Sequence, residues 1–476
     1  MSVITRIARE EWRALFRDRV AVVGLALLTL LMLVAALNAW EHQRNANAER
    51  ARYQAQANHE FEMQPDRHPH RVAHYGHFLF RPLNPLAAFD PGIDPYTGNT
   101  LFIEAHRQNS ANFGDVRQSS LLLRFGQLSP AFVLQVLAPL LLIFVGHAAL
   151  ARERESGTLR ILLAQGITGR QLVLGKLLAL SGFALLMLLP ALLMLAGLVA
   201  SGQAAWQPSL LLAAGYVLWL LLWSLMVVLL SGLLARSRDA LLALLAVWTI
   251  GVILLPRLVP DMVSSALPLP SRFENAIHVQ REYLALGNAH DPNDPTFAAF
   301  RESILKEYGV TRIEDLPVNF KGLVGFEGER LSTELFERYA TATFERQAEQ
   351  NRLVDHSAWL SPTLAIRRLS MTAVGTDLTS FRHFLEQGET YRYELVQRLN
   401  RLQSEKLRYA DDSNPNRENR ISHEHWQTFP RFDYQPQPLA DTYRQTAPAS
   451  LVLLVWAGLL MALTSLMGAR LGTTRQ

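Results

Sequence analysis

The chain has 476 residues, a formal net charge of +4, 49% hydrophobic residues and 18% charged residues. The apolar residues lie in long blocks with the charges gathered between them, unlike the fine mixing of a soluble enzyme, and the basic residues form no single patch for nucleic acid. There is no cysteine, which excludes disulfides, thiolate metal sites and cysteine catalysis.

Residues 1–19 read as an amphipathic helix. Ile7, Ala8, Trp12, Leu15 and Phe16 recur at helical spacing, and Arg6, Arg9, Glu10, Arg13 and Arg17 fill the other side. Such a helix, with Trp12, Leu15 and Phe16 as its apolar residues, is expected in the membrane interface. The mixed charge and the long apolar run that follows argue against a cleavable signal peptide. A bilayer core needs roughly 20 apolar residues as helix, and stretches 20–39, 131–150, 172–200, 210–234, 240–255 and 449–467 qualify. The fifth is short. Pro256 is read as its end, and Pro260 as a kink or an early exit.

The flanks set the orientation. Arginines crowd 1–19, 151–171, the connection at Arg236 and Arg238, and the tail 468–476 with Arg470 and Arg475. Short arginine-rich loops stay cytoplasmic, so both termini are expected inside a bacterial inner membrane. Segments 40–130 and 256–448 then lie outside. The expected fold class is an all-α polytopic membrane protein: six transmembrane helices with a mainly helical extracytoplasmic domain. In segment 40–130 a polar helix at 41–62 continues the first span. A Pro- and Asp-rich portion follows, and 120–127 leads back to the membrane. In segment 256–448 helices are predicted at 272–286, 294–308, 328–356 and 377–409, with an extended stretch at 433–440.

Segment 151–171 is the most informative. Arg152, Glu153, Arg154 and Glu155 open it, and Ser156-Gly157-Thr158 turns the chain. A short apolar run through Leu159, Ile161, Leu162 and Leu163 ends at Gly166. The pattern predicts a short interfacial helix on the cytoplasmic surface, placed to take a push from a soluble partner.

Here the sequence resembles the ABC-2 permease family. There the second-to-third connection runs from charged residues through Gly-Thr-Leu and a short apolar helix to Gly-Lys. Glu153, Glu155, Gly157, Thr158, Leu159, Leu162, Leu163, Gly175 and Lys176 stand in the matching places. The large outer segments look more like the DUF3526-type subgroup, with a long insertion before the last helix. The resemblance implies that Glu153 to Leu163 docks on a dimer of ABC ATP-binding subunits. It also implies a second permease subunit, as homodimer or paralogous heterodimer. The outer domain suits either a periplasmic partner or the shaping of a substrate exit.

The chain lacks a phosphate-cradling Gly-x-x-x-x-Gly-Lys-Ser/Thr, a Gly-x-Ser-x-Gly elbow and a His-Glu-x-x-His motif. It is therefore expected not to be an enzyme and to bind no cofactor itself, with ATP and magnesium on the partner ATPase. His70, His74 and His77 have helical spacing, but Pro69 and Gly76 argue against a helix there and only Asp66 is a nearby carboxylate. A solvated loop, or packing beneath the second segment, is the expectation, with no metal centre. His147 is the one ionisable side chain noted inside the membrane blocks, which weighs against a proton-coupled antiporter. The expected function is ATP-driven export, and the alternative is mechanical relay to a periplasmic partner without solute transport.

Overall fold

The structure, a computed structural model, describes residues 2–108, 128–291, 293–414, 416–417 and 419–471. The expectations for 120–127 and Arg475 fall outside these residues. In chain order the N-terminal part holds α1 (Val3–Arg17), α2 (Arg19–Glu62), α3 (Pro69–Ala73), β1 (His77–Phe80) and β2 (Thr100–Ile103). Next come α4 (Pro130–Glu155), α5 (Thr158–Ala164), α6 (Gly169–Ala200), α7 (Trp206–Leu233) and α8 (Ser237–Ala266). The rest is α9 (Arg272–Ala285), α10 (Ala298–Glu307), α11 (Phe320–His356), α12 (Pro362–Val374), α13 (Leu378–Lys406) and α14 (Leu439–Leu471).

The chain is an all-α polytopic membrane protein. Among the described residues six helices, α2, α4, α6, α7, α8 and α14, are long and apolar enough to cross a bilayer. In lipid the backbone must satisfy its own polar groups, and a helix does so within one segment. α7 is the centre of the bundle: 61% of its apolar stretch is buried, against 17% for α8. Tyr216, Trp219, Leu225, Val227 and Val228 of α7 are fully buried among α4, α6, α12 and α14. The 44 residues of α2 rise about 66 Å at 1.5 Å each, so the helix leaves the membrane and its polar half supports the hydrophilic body.

α1 lies against α6. Asp18 breaks the chain between α1 and α2 in an extended conformation, and its carboxylate accepts the Val20 N–H at 2.8 Å, as an N-cap does. Two glycines of α6 admit α1: a Cβ on Gly175 would meet Ile7 Cγ2 at 2.6 Å, and one on Gly182 would meet Trp12 Cζ3 at 2.8 Å. Ile7, Trp12 and Leu15 pack on the core, whereas Phe16 is exposed. The gap at Gly182 thus seats Trp12 on protein, and Leu15 packs on the same core.

The fifth span does not stop at Pro256. α8 runs to Ala266 because the turn ahead of the proline widens to π geometry over Thr249–Leu254, which accommodates the proline ring. The Leu255 N–H reaches back to Ile250 O. In that register Pro256, lacking an N–H, orphans the carbonyl of Gly251. The Ser361 hydroxyl, just before α12, donates to that carbonyl at 2.6 Å. α4 repeats the arrangement, with a π turn at Val133–Leu137 just ahead of Pro139. The carbonyl that Pro139 leaves free is that of Leu134, and it accepts the Trp219 indole N–H at 3.0 Å. Both cases obey the rule that backbone freed in lipid finds a side-chain donor.

The hydrophilic body is built by both large segments. Strands β1 and β2 pair antiparallel, His77 opposite Ile103. They pack with Phe61, Val72, Phe384, Leu395, Leu399 and Trp426 in one core. The two strands flank the Pro- and Asp-rich portion and were not anticipated. α12 was not anticipated either. It carries Leu364, Ala365, Ile366, Leu369, Ala373 and Val374 into the same apolar core as the membrane helices, against α7 and α14. Each of the predicted helices 272–286, 294–308 and 377–409 is found slightly shorter, and 328–356 begins earlier, at Phe320.

If α1 is held by the Gly182 gap, Gly182→Leu expels Trp12. Trypsin should then cut at Arg13 and Arg17 about tenfold faster than in the native protein, as local opening exposes the helix. An unchanged cleavage rate would show that α1 is not anchored there.

Candidate functional site

The sequence-predicted site residues gather at one end of the bundle. α4 is interrupted over residues 147–150, and the buried Ser231 hydroxyl of α7 accepts the N–H groups of Leu150 and Ala151 at 2.9 and 3.1 Å. His147 bonds locally, its Nδ1 3.0 Å from Phe144 O. The chain resumes as the last turn of α4, which carries Glu153 and Glu155, and turns at Gly157. There φ is +76°, a left-handed conformation natural to glycine. α5 follows.

Lys176, buried near the start of α6, organises this end. Its ammonium lies 2.6 Å from Glu11 of α1 and 3.1 Å from Glu153 of α4. Glu153 also accepts the Thr158 hydroxyl at the start of α5. One cation therefore joins four helices. Glu155 accepts the N–H and the hydroxyl of Ser237, at 3.2 and 3.0 Å, and so caps α8. Thr168 and Gln171 form a reciprocal cap at the start of α6, the geometry of a capping box.

The apolar residues of α5 divide by face. Leu159 is buried in the membrane core and Leu162 and Leu163 pack against it. Arg160 and Ile161 are exposed, Ile161 at 58%. Leu159, Leu162 and Leu163 thus anchor α5, and Arg160 and Ile161 form its outward edge. The sequence singled out the anchors. Ile161 stood in the same apolar run and Arg160 beside it, but their outward orientation was not legible, because a seven-residue helix is too short for its face to be read from period. Lys176 stood in the motif, but nothing local pointed to Glu11.

A second polar chain runs through the far end of the bundle. Gln135 donates to the Tyr216 hydroxyl at 2.7 Å, Tyr216 to Ser370 at 3.1 Å, and Ser370 to the Asp90 carboxylate at 2.5 Å. Thr376 donates to Asp90 O at 3.1 Å. Burial raises the Asp90 pKa above the usual carboxylate range, against the pull of the Ser370 and Gly92 hydrogen bonds. The chain ties α4, α7 and α12 to the loop ahead of β2. It adds Tyr216 and Asp90 to the ionisable groups in or against the bundle, beyond the His147 noted from sequence.

The histidines fall into two places. His77 is buried in the hydrophilic core beside Phe61, with ring centroids 5.3 Å apart, and burial lowers its pKa to about 4. It is not grouped with His70 and His74, because it belongs to β1 and α3 ends before it. His70 and His74 instead meet His106 and His290, with nitrogen atoms all within 4.8 Å of one another. Burial, then the neighbouring imidazoles, lower the His70 pKa to about 3. His74 and His290 are lowered too, burial first. Asp66 bonds His423 at 2.8 Å and takes no part.

Residues 8–55, most of α1 and α2, match the N-terminal transmembrane domain of oligopeptide transport permease C. Residues 272–435, from α9 through α13 and beyond, match a domain of unknown function, DUF3526. These matches support a membrane permease of transporter type. No curated protein matches the chain. Within the permease, the Lys176 cluster couples the interfacial helix of one matched region to the spans that follow.

Lys176→Met would leave two carboxylates facing each other at the edge of lipid. Removing one partner of a buried ion pair is expected to cost about 2–3 kcal/mol here, since both carboxylates keep some solvent. The readout is the thermal midpoint in detergent. Lys176→Arg should retain most of the stability, and Glu155→Gln, at the surface, should cost less than about 1 kcal/mol. Equal midpoints for Lys176→Met and the native protein would remove the cluster from the account.

Proposed function

We propose that the chain is the membrane subunit of an ABC transporter of the ABC-2 class. It couples ATP hydrolysis on a dimer of separate ATP-binding subunits, which hold ATP and magnesium, to export across a bacterial inner membrane. The chain itself performs no catalysis. Both termini and α5 face the cytoplasm, as the arginine flanks require, and the hydrophilic body is extracytoplasmic. A second permease subunit, identical or paralogous, pairs with it. The sparsely buried α8 leaves Leu242, Ile250, Leu254, Leu258 and Met262 exposed, an apolar face for that partner or for lipid.

The observation that carries the reading is the joint at Lys176. A push on Arg160 and Ile161 is carried along α5 to Thr158, from its hydroxyl to Glu153, and from Glu153 to Lys176. From there it is passed to α1, α4 and α6 together. A loop that served only as a topology signal would need its arginines but no buried cation linking four helices.

One observation favours a second reading, mechanical relay without solute. α12 is sunk in the membrane core, and the Gln135–Tyr216–Ser370–Asp90 chain fastens it to α4 and α7. Movement of the spans is thereby delivered to the hydrophilic body.

Copurification with the ATP-binding subunit tests docking. Ile161→Asp and Arg160→Glu should each weaken association by tenfold or more, about 1.4 kcal/mol, with insertion and thermal midpoint unchanged. Leu159→Ala should instead lower the midpoint, as loss of a packed leucine does. Undiminished association in both surface variants would refute docking at α5. ATPase activity stimulated by a solute that also crosses reconstituted vesicles would support export, and coupled turnover with no flux would support relay.

A further inference from the structure

We infer that His70, His74, His106 and His290 bind one divalent transition-metal ion of the zinc type, which staples the two hydrophilic segments to each other. Three of these histidines come from the segment after α2, and the fourth follows α9 in the segment before α14. No local spacing unites them; the fold does. His70 lies in α3 and His74 at its C-cap, so their rings share one face, Nε2 to Nε2 at 3.0 Å. His106 follows β2. His290 sits in the loop ahead of α10, with ring centroids 4.7 Å from His70 and 5.1 Å from His106.

His106 carries the features of a prepared ligand. Its side chain is buried, and its Nε2 is buried with no hydrogen-bond partner. Its Nδ1 lies 3.0 Å from Glu329, and its backbone N–H donates to the same carboxylate at 3.1 Å. With Nδ1 donating, the Nε2 lone pair is left free and aimed into the cluster. That carboxylate–histidine arrangement supports a metal ligand by fixing its tautomer and orientation. Glu329 is itself wholly buried and held by Arg392, which also pairs with Glu389 at 2.6 Å. Burial would raise the Glu329 pKa, but the His106 hydrogen bond and the Arg392 charge outweigh it and bring the group to about 2. Among the described residues His106 is the one non-glycine with positive φ, at +61°. That conformation costs about 1 kcal/mol or more and collects at functional positions.

The His290 loop is built with similar care. Its N–H donates to the Asn288 side chain at 3.0 Å, and the Asn288 N–H donates to Asp294 at 2.9 Å. Ala289 seats against Gly328 of α11, where a Cβ would come within 2.3 Å of the alanine methyl. Gly328 and Glu329 are neighbours, so one turn of α11 positions His290 from one side and His106 from the other.

The donor set selects the ion. Four neutral imidazoles suit zinc and its neighbours, while calcium and magnesium require oxygen. Four protein ligands complete a tetrahedron and leave no open position, which marks a structural rather than a hydrolytic site. Zinc–nitrogen bonds near 2.0–2.1 Å place tetrahedral nitrogens about 3.4 Å apart. The widest separation of up to 4.8 Å therefore closes by about 1.4 Å on binding, and the 3.0 Å between His70 and His74 opens slightly.

The test uses the full chain in detergent, freed of metal with a chelator and then titrated with zinc or cobalt. The expected result is one zinc per chain, a higher thermal midpoint with zinc, and the visible spectrum of four-coordinate cobalt. His74→Ala and His290→Ala change exposed side chains and should fold; each should weaken zinc binding at least 100-fold and abolish the zinc-dependent rise in midpoint. Glu329→Gln should weaken binding 10- to 100-fold, and His423→Ala should leave it unchanged. Absence of stoichiometric zinc in the folded, monodisperse chain, full affinity in both alanine variants, or a six-coordinate cobalt spectrum would overturn the assignment.

Discussion

The ion cluster at Lys176 is the interaction on which this permease depends. A lysine ammonium at the membrane edge is costly to hold without anionic partners, and this one is nearly sealed from solvent. Two carboxylates from separate helices neutralise it, Glu11 from the N-terminal helix and Glu153 from the end of α4. Because Glu153 also receives the hydroxyl of Thr158, the surface helix α5 is fixed by the same charge. Pairing of this kind contributes less to stability than to uniqueness, since attraction is largely offset by desolvation. Its effect is to make α1, α5 and the start of α6 one body.

At the other end of the bundle the governing constraint is the backbone. Lipid supplies no hydrogen bonds, so each carbonyl that a proline orphans must find a donor in the protein. Trp219 serves Leu134, and Ser361 serves Gly251. The second of these joins a span to the hydrophilic body, as does the hydrogen-bonded line from Gln135 to Asp90. Through α12 the hydrophilic body enters the apolar core of the membrane bundle, while its β1–β2 sheet keeps a core of its own. A displacement begun at α5 meets a continuous packed structure up to α12, which is why both transport and relay are mechanically reasonable.

The sequence revealed the parts whose physics is local. Six spans were visible because a bilayer demands long apolar runs. The surface helix was visible because Gly157 and Gly166 bracket it, and the outward extension of α2 because its helical pattern simply continues. What depended on distant partners was hidden. Pro256 reads as a stop until Ser361, far along the chain, is seen to repair the damage. α12 is short and buried on most sides, so its periodicity does not separate it from a loop. His70 and His74 could be paired by spacing, but His77 falls on a strand, and His106 and His290 arrive only through tertiary structure. Glu11 carries no local mark of its partner, which lies far along the chain at Lys176. The outward edge of α5 at Arg160 and Ile161 emerged only once Leu159, Leu162 and Leu163 were seen to face inward.

The most direct measurement of the central claim is the distance between spin labels on α1 and α5. The chain has no cysteine, so Arg9→Cys and Arg160→Cys, both at exposed positions, can be labelled without background. If Lys176 makes these helices one body, the native chain gives a single narrow distance distribution, and the distribution broadens when Lys176 is replaced by methionine. A distribution already broad in the native chain, or one left narrow after the replacement, would contradict the account.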